Sequence, residues 1–363
     1  MEAGAGAGVT AERNLQAFED ISFNQRAGRW WPERDLHTTV LGHRIELPVI
    51  TAPVGALGMV HPDGECGVAR AAGAAGTIQM VSSFSCASIE EIVAVASGPV
   101  FMQLYYPGDR DAAAPLIERA KKAGCGALVV TVDTAAVRHR EHPMRGRANL
   151  GQTGWRNHVN LTRHLLARPT WTATFLRQRR RRFSVPMVTK ADGKPVSLLE
   201  MSDLALRTAP VWDDLPWIHD RWGGPIVIKG ILSAEDARRA VDAGAAAIVV
   251  SNHGGNIVDG LPATIRMLPE IVAAVGDDVE ILLDSGVRRG TDVLKAVALG
   301  ARAVVVGRSL VWALAAAGEA GVHQILRVYR DDIDNLLAGL GAPSIEALDA
   351  SYLRLPADSS TSH

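Results

Sequence analysis

The chain is poor in cysteine and has no long apolar runs. Its 363 residues include three cysteines, Cys66, Cys86 and Cys125. An odd number at wide spacing excludes a disulfide framework and shows no metal-ligand pattern, so we expect free buried thiols in a reducing compartment. No stretch of about 18 apolar residues is available to span a bilayer. The first eight residues lack the charged and apolar regions of a signal peptide, and we therefore predict a cytoplasmic protein.

The chain also has almost no net charge. It carries 38 basic and 39 acidic residues, for a formal net charge of -1. This balance gives no overall field to hold nucleic acid or an anionic membrane, and we expect small-molecule partners instead. The one strongly basic run, Arg177–Arg182, has no second basic cluster to extend it. We interpret that run as a solvated or mobile loop rather than a nucleic-acid site.

One pattern occurs four times along the chain. An alanine-rich helical segment ends at a glycine and is followed, after a few small residues, by a β-branched run typical of a buried parallel strand. The four glycines are Gly76, Gly124, Gly244 and Gly300. Four further apolar runs, at Pro48–Pro53, Val100–Tyr105, Pro225–Lys229 and Val279–Asp284, bring the predicted strands to eight. The fold class predicted is α/β, a (β/α)8 barrel (TIM barrel), with an open doubly wound sheet as the alternative because repeats alone do not establish closure.

The interval 134–224, after the fourth predicted strand, is much too long for a simple connection. Long insertions at the catalytic face of a barrel commonly form lids. No linker or change in composition marks a second independent domain. We therefore predict a single domain over residues 1–363, with 134–224 as a lid-like insertion within it.

Polar side chains follow nearly every predicted strand. In a (β/α)8 barrel the chemistry takes place at the carboxyl ends of the strands, so these positions predict the contents of a site. Burying a polar group without a partner costs a few kcal/mol, which a purely structural role would not explain. The polar residues at strand ends are Thr51, Ser82, Gln103, Tyr105, Thr131, Asp133, Lys229, Ser251, His253, Asp284, Arg288 and Arg308.

The last two predicted strands indicate a phosphate site. Gly286 and Gly307 leave backbone amides accessible, while Arg288 and Arg308 bring guanidinium groups. Loops after the seventh and eighth strands commonly bind phosphate in such barrels. Alternatively, both arginines cap helix ends or pair with nearby acids. The chain has neither a glycine-rich dinucleotide fingerprint nor a P-loop, which argues against NAD and ATP.

Four groups are expected to converge on one reacting centre. They are Asp133, Lys229, His253 and the hydroxyl of Tyr105. Lys229 is suited to stabilise an anion that appears during reaction, or to act as a Schiff-base nucleophile. His253 is suited to proton transfer and Asp133 to holding its imidazolium. A histidine at this position is alternatively a turn residue satisfied by nearby backbone.

Several of these motifs, in this order, resemble the FMN-dependent α-hydroxy-acid oxidases and dehydrogenases over roughly residues 14 to 355. The motifs are Gln103–Tyr105, Thr131–Thr134, Val227–Gly230, Ser251–Gly255 with Asp259, Leu283–Asp292 and Val306–Arg308. The resemblance implies a barrel with FMN at its mouth, assembled as a homo-oligomer, specifically a tetramer.

The resemblance also implies a role for each matching residue. His253 would remove a proton as hydride passes to the flavin, Lys229 would stabilise the negative charge of the reduced flavin, and Asp133 would pair with protonated His253. Tyr105, Arg140 and Asn256 would contact substrate. Residues that would contact the flavin, its ribityl chain or its phosphate are Ala52, Pro53, Val54, Ser82, Gln103, Thr131, Lys229, Ser251, Asp284, Gly286, Arg288, Gly307 and Arg308. No metal is implied.

Two departures from the family pattern concern the substrate. Asn256 stands where the hydroxy-acid enzymes have an arginine that binds the substrate carboxylate, a charged interaction of about 1.5–3 kcal/mol. The first tyrosine of the chain is Tyr105, so the family's N-terminal tyrosine is missing, whereas Arg140 matches its other active-site arginine. The motif Ser251–Asn256 most resembles the branch of pre-mycofactocin synthases, together with the regions Thr170–Pro225 and Asp236–Ile265.

That branch implies oxidation of the C–N carbon of a peptide-derived aminopyrrolidinone with release of ammonia, in the biosynthesis of mycofactocin or a similar cofactor or natural product. Two alternatives stay open at this point. One is a 2-hydroxy-acid oxidase of the glycolate, lactate or mandelate type that uses Arg140 alone. The other is a flavin-binding protein without turnover.

Overall fold

Eight parallel strands close into a barrel in the computed structural model. The structure describes residues 4–106, 109–134, 183–190, 192–207 and 209–356, with isolated positions between 162 and 173. Each strand pairs with the next one along the chain, and the eighth pairs with the first, so the predicted (β/α)8 barrel is confirmed and the open sheet is excluded. The strands are β1 Val49–Thr51, β2 Gln79–Ser82, β3 Val100–Leu104, β4 Ala127–Thr131, β5 Ile226–Ile231, β6 Ala247–Val250, β7 Glu280–Asp284 and β8 Ala303–Val306.

Helices connect the strands on the outside of the barrel. The helix after Ser88 begins with a capping box, in which Ser88 Oγ accepts the amide of Glu91 at 3.2 Å and Glu91 Oε2 accepts the amide of Ser88 at 2.9 Å. Ser233 Oγ caps its helix by accepting the amide of Asp236 at 3.1 Å. The helices of the described ranges are α1 Val9–Glu19, α2 Gly64–Ala74, α3 Ile89–Val95, α4 Arg110–Ala123, α5 Leu198–Arg207, α6 Leu215–Trp222, α7 Ala234–Asp242, α8 Thr264–Val275, α9 Gly290–Ala298 and α10 Arg308–Leu340, which is kinked at Ala317-Gly318.

The strands are apolar on both faces because both faces are buried. Successive side chains of a strand point to opposite sides, so Val129 lies in the barrel interior whereas Leu128 and Val130 pack beneath the helices. A short antiparallel hairpin, Thr38–Val40 with His43–Ile45, contributes Val40 and Ile45 to the interior cluster. Apolar residues thus fill the interior, and the polar residues collect at the carboxyl ends of the strands.

The predicted insertion 134–224 contains at least one helix of the barrel itself. Helix α6 buries Leu215, Ile218 and Trp222 and packs against α4. Before it come an antiparallel pair, Ser184–Thr189 with Pro195–Ser197, and α5. Arg177–Arg182 and Arg140 lie outside the described residues. A lid over the site, formed by 134–224, stays a prediction.

Helix α1 fixes the N-terminal segment against the loop that follows β6. Asp259 accepts the backbone amides of Thr10 at 2.8 Å and Gly8 at 3.1 Å, and thereby caps the helix from a distant part of the chain. The amide of Ala5 donates to the carbonyl of Gly255 at 2.7 Å. The segment that precedes the barrel therefore supports a loop at its mouth.

The prediction of free, buried thiols is only partly met. All three thiols are free, but Cys125 alone is fully buried, while Cys66 and Cys86 are half-buried. Burial raises the pKa of Cys125 to about 12, which keeps this thiol protonated and inert. Among the helices in the described part of the chain, none is long and apolar enough to cross a bilayer.

Candidate active site

A cavity of about 490 Å³ opens at the carboxyl ends of the barrel strands. Its size lies within the range of small-molecule and cofactor pockets. Most of the predicted site residues line it. They are Ala52, Pro53, Val54, Ser82, Gln103, Tyr105, Lys229, His253, Asn256, Asp284, Gly286, Arg288, Gly307 and Arg308.

His253 lies on a tight turn directly after β6, in a left-handed backbone conformation with φ of 58°. Its Nδ1 is 3.2 and 3.3 Å from the two carboxylate oxygens of Asp133, and its Nε2 is 3.0 Å from the hydroxyl of Tyr105. An ionised carboxylate only accepts hydrogen bonds, so Nδ1 carries the proton and donates to Asp133. Nε2 is then the basic nitrogen, and it lies on the Tyr105 side of the ring.

Asp133 is held in its ionised form. Burial opposes ionisation, but His253 and Lys229 outweigh burial, so the pKa of Asp133 lies below its ordinary value. The carboxylate does not line the cavity; it contacts the imidazole from behind. Asp133 can therefore stabilise an imidazolium at His253 without touching a bound molecule.

Lys229 is a buried group whose surroundings favour its charged form. It is 3% exposed, and its Nζ lies 2.9 Å from Asp284 Oδ2 and donates to Ser251 Oγ at 2.8 Å. Burial favours loss of the proton, but Asp284 and Asp133 outweigh burial, and the pKa of Lys229 lies above its ordinary value. A Schiff-base nucleophile must be neutral to react, so this geometry favours the role of a fixed cation.

Two predicted cofactor contacts, Thr131 and Ser251, lie behind the cavity wall and hold the residues that line it. Thr131 Oγ1 accepts a hydrogen bond from Gln103 Nε2 at 2.7 Å, and Ser251 Oγ accepts one from Lys229. Gln103 Oε1 is buried and has no hydrogen-bond partner within the described part of the protein. This acceptor belongs to a lining residue and suits a donor group of a bound cofactor.

The loops after β7 and β8 form the predicted phosphate end of the cavity. Arg308 donates to the carbonyl of Gly254 at 2.8 Å. Arg288 donates to the carbonyl of Val287 at 2.7 Å, and its guanidinium lies 5.3 Å from the centre of the Trp312 ring. Both side chains line the cavity, which favours anion binding over the alternative of helix capping.

Asn256 lies one turn beyond His253 and lines the same cavity. Its Nδ2 donates to the carbonyl of His253 at 2.9 Å. One amide hydrogen and the amide oxygen of Asn256 remain as hydrogen-bonding capacity, and the side chain carries no charge. The position that the family pattern assigns to a carboxylate-binding arginine is thus neutral here.

The sequence prediction missed several residues of the site. Phe84, Leu198 and Ser285 also line the cavity, and Phe84 packs edge-on against Tyr105 with ring centres 5.0 Å apart. Phe84 directly follows the predicted strand end Ser82-Ser83, a position that offered a signal for it. No signal in the sequence indicates Leu198, because it comes from the segment after β4 rather than from the end of a barrel strand.

Two buried supports behind the site were also missed. Asn14 and Asn252 exchange a reciprocal pair of amide hydrogen bonds, both 2.8 Å long, between α1 and the turn that carries His253. Glu65 is 2% exposed, and its Oε1 accepts the amides of Leu57 at 2.9 Å and Cys86 at 3.0 Å. Burial raises the pKa of Glu65. These contacts join α1 to the histidine turn and the loop after β1 to the loop after β2.

The residues present fit FMN. The cavity combines an unpartnered amide oxygen on Gln103, a buried cation at Lys229, and two guanidinium groups at the far end. A Cβ atom added at Gly307 would meet only Ala52 and Val54, at 3.6 and 3.9 Å, so it would project into the cavity itself. Glycine here leaves room for a group that approaches the backbone closely. Within the described residues, no three metal-ligating side chains cluster.

Comparison with known proteins gives the family of the chain. The model of the FMN-dependent dehydrogenase family matches residues 1–355. The chain is 43% identical to pre-mycofactocin synthase of Mycobacterium tuberculosis over 352 residues, covering 96% of this chain and 88% of that protein. It is 38% identical to glycolate oxidase of Spinacia oleracea over 344 residues, covering 95% and 87% of the two chains.

Among solved structures, (S)-mandelate dehydrogenase, a monotopic membrane protein, superimposes with a TM-score of 0.88 at 32% identity, covering 98% of this chain and 93% of that one. The family match spans nearly the whole chain. The chain therefore belongs to the FMN-dependent dehydrogenase family and is an FMN-dependent oxidoreductase.

Proposed function

We propose that this oxidoreductase deaminates a neutral amine, specifically a peptide-derived aminopyrrolidinone, in the biosynthesis of mycofactocin or a similar natural product. The observation that carries the proposal is Asn256, an uncharged amide beside His253 in the cavity wall. The 43% sequence identity to pre-mycofactocin synthase, over 96% of this chain, supports the proposal.

The substrate side of the cavity favours a neutral ligand. Besides His253 and the residues assigned to FMN, the described lining of the cavity includes Phe84, Tyr105, Thr134, Leu198, Asn256 and Ile257. None of these is a cation, and a carboxylate buried without a cationic partner loses hydration that is not replaced. A lactam presents one carbonyl acceptor and one N–H donor, which an amide such as Asn256 matches in kind.

In the proposed reaction His253, Asp133 and Tyr105 have different roles. Bound FMN supplies the hydride acceptor. His253 Nε2 takes the proton from the substrate amine as the C–H bond gives up its hydride, so the C–N single bond becomes an imine and two electrons leave the substrate. Asp133 stabilises the imidazolium that results, and Tyr105, 3.0 Å from Nε2, orients the amine. Water then hydrolyses the imine to a ketone and releases ammonia.

Anaerobic reduction of the flavin tests this proposal. We expect an aminopyrrolidinone to bleach the flavin absorbance rapidly, and glycolate, lactate and mandelate to bleach it slowly. Rapid reduction by a 2-hydroxy acid and none by the lactam would refute the proposal. It would instead support a hydroxy-acid oxidase that binds the carboxylate through Arg140, a candidate favoured by the similarity to glycolate oxidase.

The variant Asn256→Arg sharpens the comparison. A guanidinium at this position should bind a 2-hydroxy acid about 10- to 150-fold more tightly, because a charged, bidentate hydrogen bond contributes about 1.5–3 kcal/mol. The same change should weaken lactam binding. Asn256→Gln keeps the amide and serves as the matched control, with the order of substrate preference unchanged. Unaltered preference in Asn256→Arg would contradict the role of Asn256.

A cytoplasmic location and assembly into a homo-oligomer, a tetramer by family resemblance, are part of the same proposal. Size-exclusion chromatography coupled to light scattering measures the assembly directly. A monomer at micromolar concentration would contradict it.

A further inference from the structure

Ser285, the residue after β7, adopts a conformation that serine rarely takes. Its φ is 73°, in the left-handed region that favours glycine. Within the described ranges three other non-glycine residues share this region, and one of them is His253. Side chains kept in such conformations cluster at functional sites, where the surrounding contacts hold them. Ser285 also lines the cavity, so a role for its side chain is to be sought within the site.

The hydroxyl of Ser285 joins two parts of the site. Its Oγ accepts the backbone amide of Gly254, the residue next to His253, at 2.8 Å. The same hydroxyl donates to Asp284 Oδ1 at 2.6 Å. Glycine, which the left-handed conformation favours, would provide neither contact. The Ser285 hydroxyl thus accepts one hydrogen bond from the histidine turn and donates another to Asp284.

These two contacts close a ring of hydrogen bonds. Asp284 Oδ2 pairs with Lys229 Nζ at 2.9 Å, and Lys229 donates to Ser251 Oγ at 2.8 Å. Ser251 Oγ in turn accepts the backbone amide of His253 at 3.1 Å. The ring runs from His253 through Ser251, Lys229, Asp284 and Ser285 to Gly254. The base and the buried cation are therefore held in one fixed relation to each other.

We propose that Ser285 is a positioning residue that couples the histidine turn to the Lys229–Asp284 ion pair. Its O–H group stabilises part of the negative charge of Asp284. Lys229 is then less fully neutralised by Asp284, and more of its positive field acts on the cavity. A bound flavin that gains negative charge on reduction is stabilised by that field. Ser285 thereby raises the reduction potential of the flavin while it holds the base in place.

The test compares Ser285→Gly and Ser285→Ala with the wild-type holoenzyme. One readout is the midpoint potential of bound FMN, measured by equilibration with a reference dye. The other is the dissociation constant of inorganic sulfite, which adds its electron pair to the oxidised flavin and leaves a negative charge on the ring. In both variants we expect a lower midpoint potential and about tenfold weaker sulfite binding, the size of effect that loss of one hydrogen bond to a charged group produces.

Thermal unfolding separates positioning from a purely structural role. Ser285→Gly should unfold at no lower temperature than wild type, because glycine accepts φ of 73° without strain. Ser285→Ala keeps the strained conformation and loses the hydroxyl, so its midpoint temperature should fall. If Ser285→Gly retains the wild-type midpoint potential and sulfite dissociation constant, the proposal is overturned, whatever Ser285→Ala does.

Ser83→Ala is the matched control. Ser83 also joins two strand ends through its hydroxyl, which donates to the carbonyl of Gln103 at 2.8 Å and accepts the amide of Tyr105 at 2.8 Å. Within the described ranges no hydrogen bond links Ser83 to the ion pair, so loss of its hydroxyl should leave the midpoint potential and sulfite binding unchanged. An equal effect in Ser83→Ala would contradict a specific role for Ser285. Neither readout uses the substrate, so the outcome is independent of whether an amine or a hydroxy acid is oxidised.

Discussion

The contact between Asp133 and His253 makes the most quantitative prediction. In the native protein a carboxylate oxygen of Asp133 lies 3.2 Å from Nδ1 of His253. Asp133→Asn keeps an oxygen acceptor at that position but removes the negative charge. A hydrogen bond to a charged group contributes about 1.5–3 kcal/mol, and two unit charges about 4 Å apart interact with about 4 kcal/mol at an effective dielectric constant of 20. The side chains are only 17% and 16% exposed, so solvent screens the pair little.

The rate constant for flavin reduction should therefore fall by about tenfold to about a thousandfold in Asp133→Asn. The assay is anaerobic stopped-flow absorbance of the flavin at a series of substrate concentrations. The dissociation constant for substrate should change little, because Asp133 does not line the cavity. A reduction rate constant within threefold of wild type would refute the assignment of Asp133 as the partner of imidazolium.

Asp259→Asn controls for the loss of an acidic group near the same turn. Asp259 accepts the amides of Gly8 and Thr10 at the start of α1 and does not contact His253. Its substitution should leave the reduction rate constant within twofold of wild type. A large effect in both variants would point to movement of the histidine turn rather than to loss of the Asp133 charge.

Two further predictions concern stability. Lys229→Met should lower the free energy of unfolding by about 3–5 kcal/mol, because it leaves Asp284 buried without its cation, and adding Asp284→Asn should recover part of that loss in urea denaturation. Burial raises the pKa of Tyr329, in α10, to about 12. The stability that its neutral hydroxyl contributes is therefore intact below the unfolded-state pKa of about 10 and is lost as the pH rises from about 10 towards 12. Tyr329→Phe should lose less stability than wild type over that interval, and equal losses would contradict the raised pKa of Tyr329.

The barrel could be predicted from sequence because each of its units is locally encoded. A helix that ends at Gly124 or Gly244 and runs into a β-branched strand carries its own stop and start signals. Barrel closure then brings all eight strand ends to one mouth, so a list of strand ends becomes a list of site residues. That is why Asp133, Lys229 and His253 were found together although they lie far apart in the chain.

The remaining features depend on contacts between distant segments or on backbone angles. Asn14 and Asn252 are separated by 238 positions, and neither residue type predicts the other as its partner. The serine at 285 is visible in the sequence, but its φ of 73° and its two hydrogen bonds are not. The apolar face of α6 packs on α4, a contact that the sequence around α6 does not indicate.

The central claim is that the substrate carbon bears an amine, and the most direct measurement is ammonia released in a single anaerobic turnover. Enzyme with oxidised flavin is mixed with an equimolar aminopyrrolidinone, and reduced flavin and ammonium are both quantified. We predict one ammonium for each flavin reduced. Flavin reduced by glycolate, lactate or mandelate with formation of the 2-oxo acid, and no reduction or ammonium with the lactam, would contradict the claim.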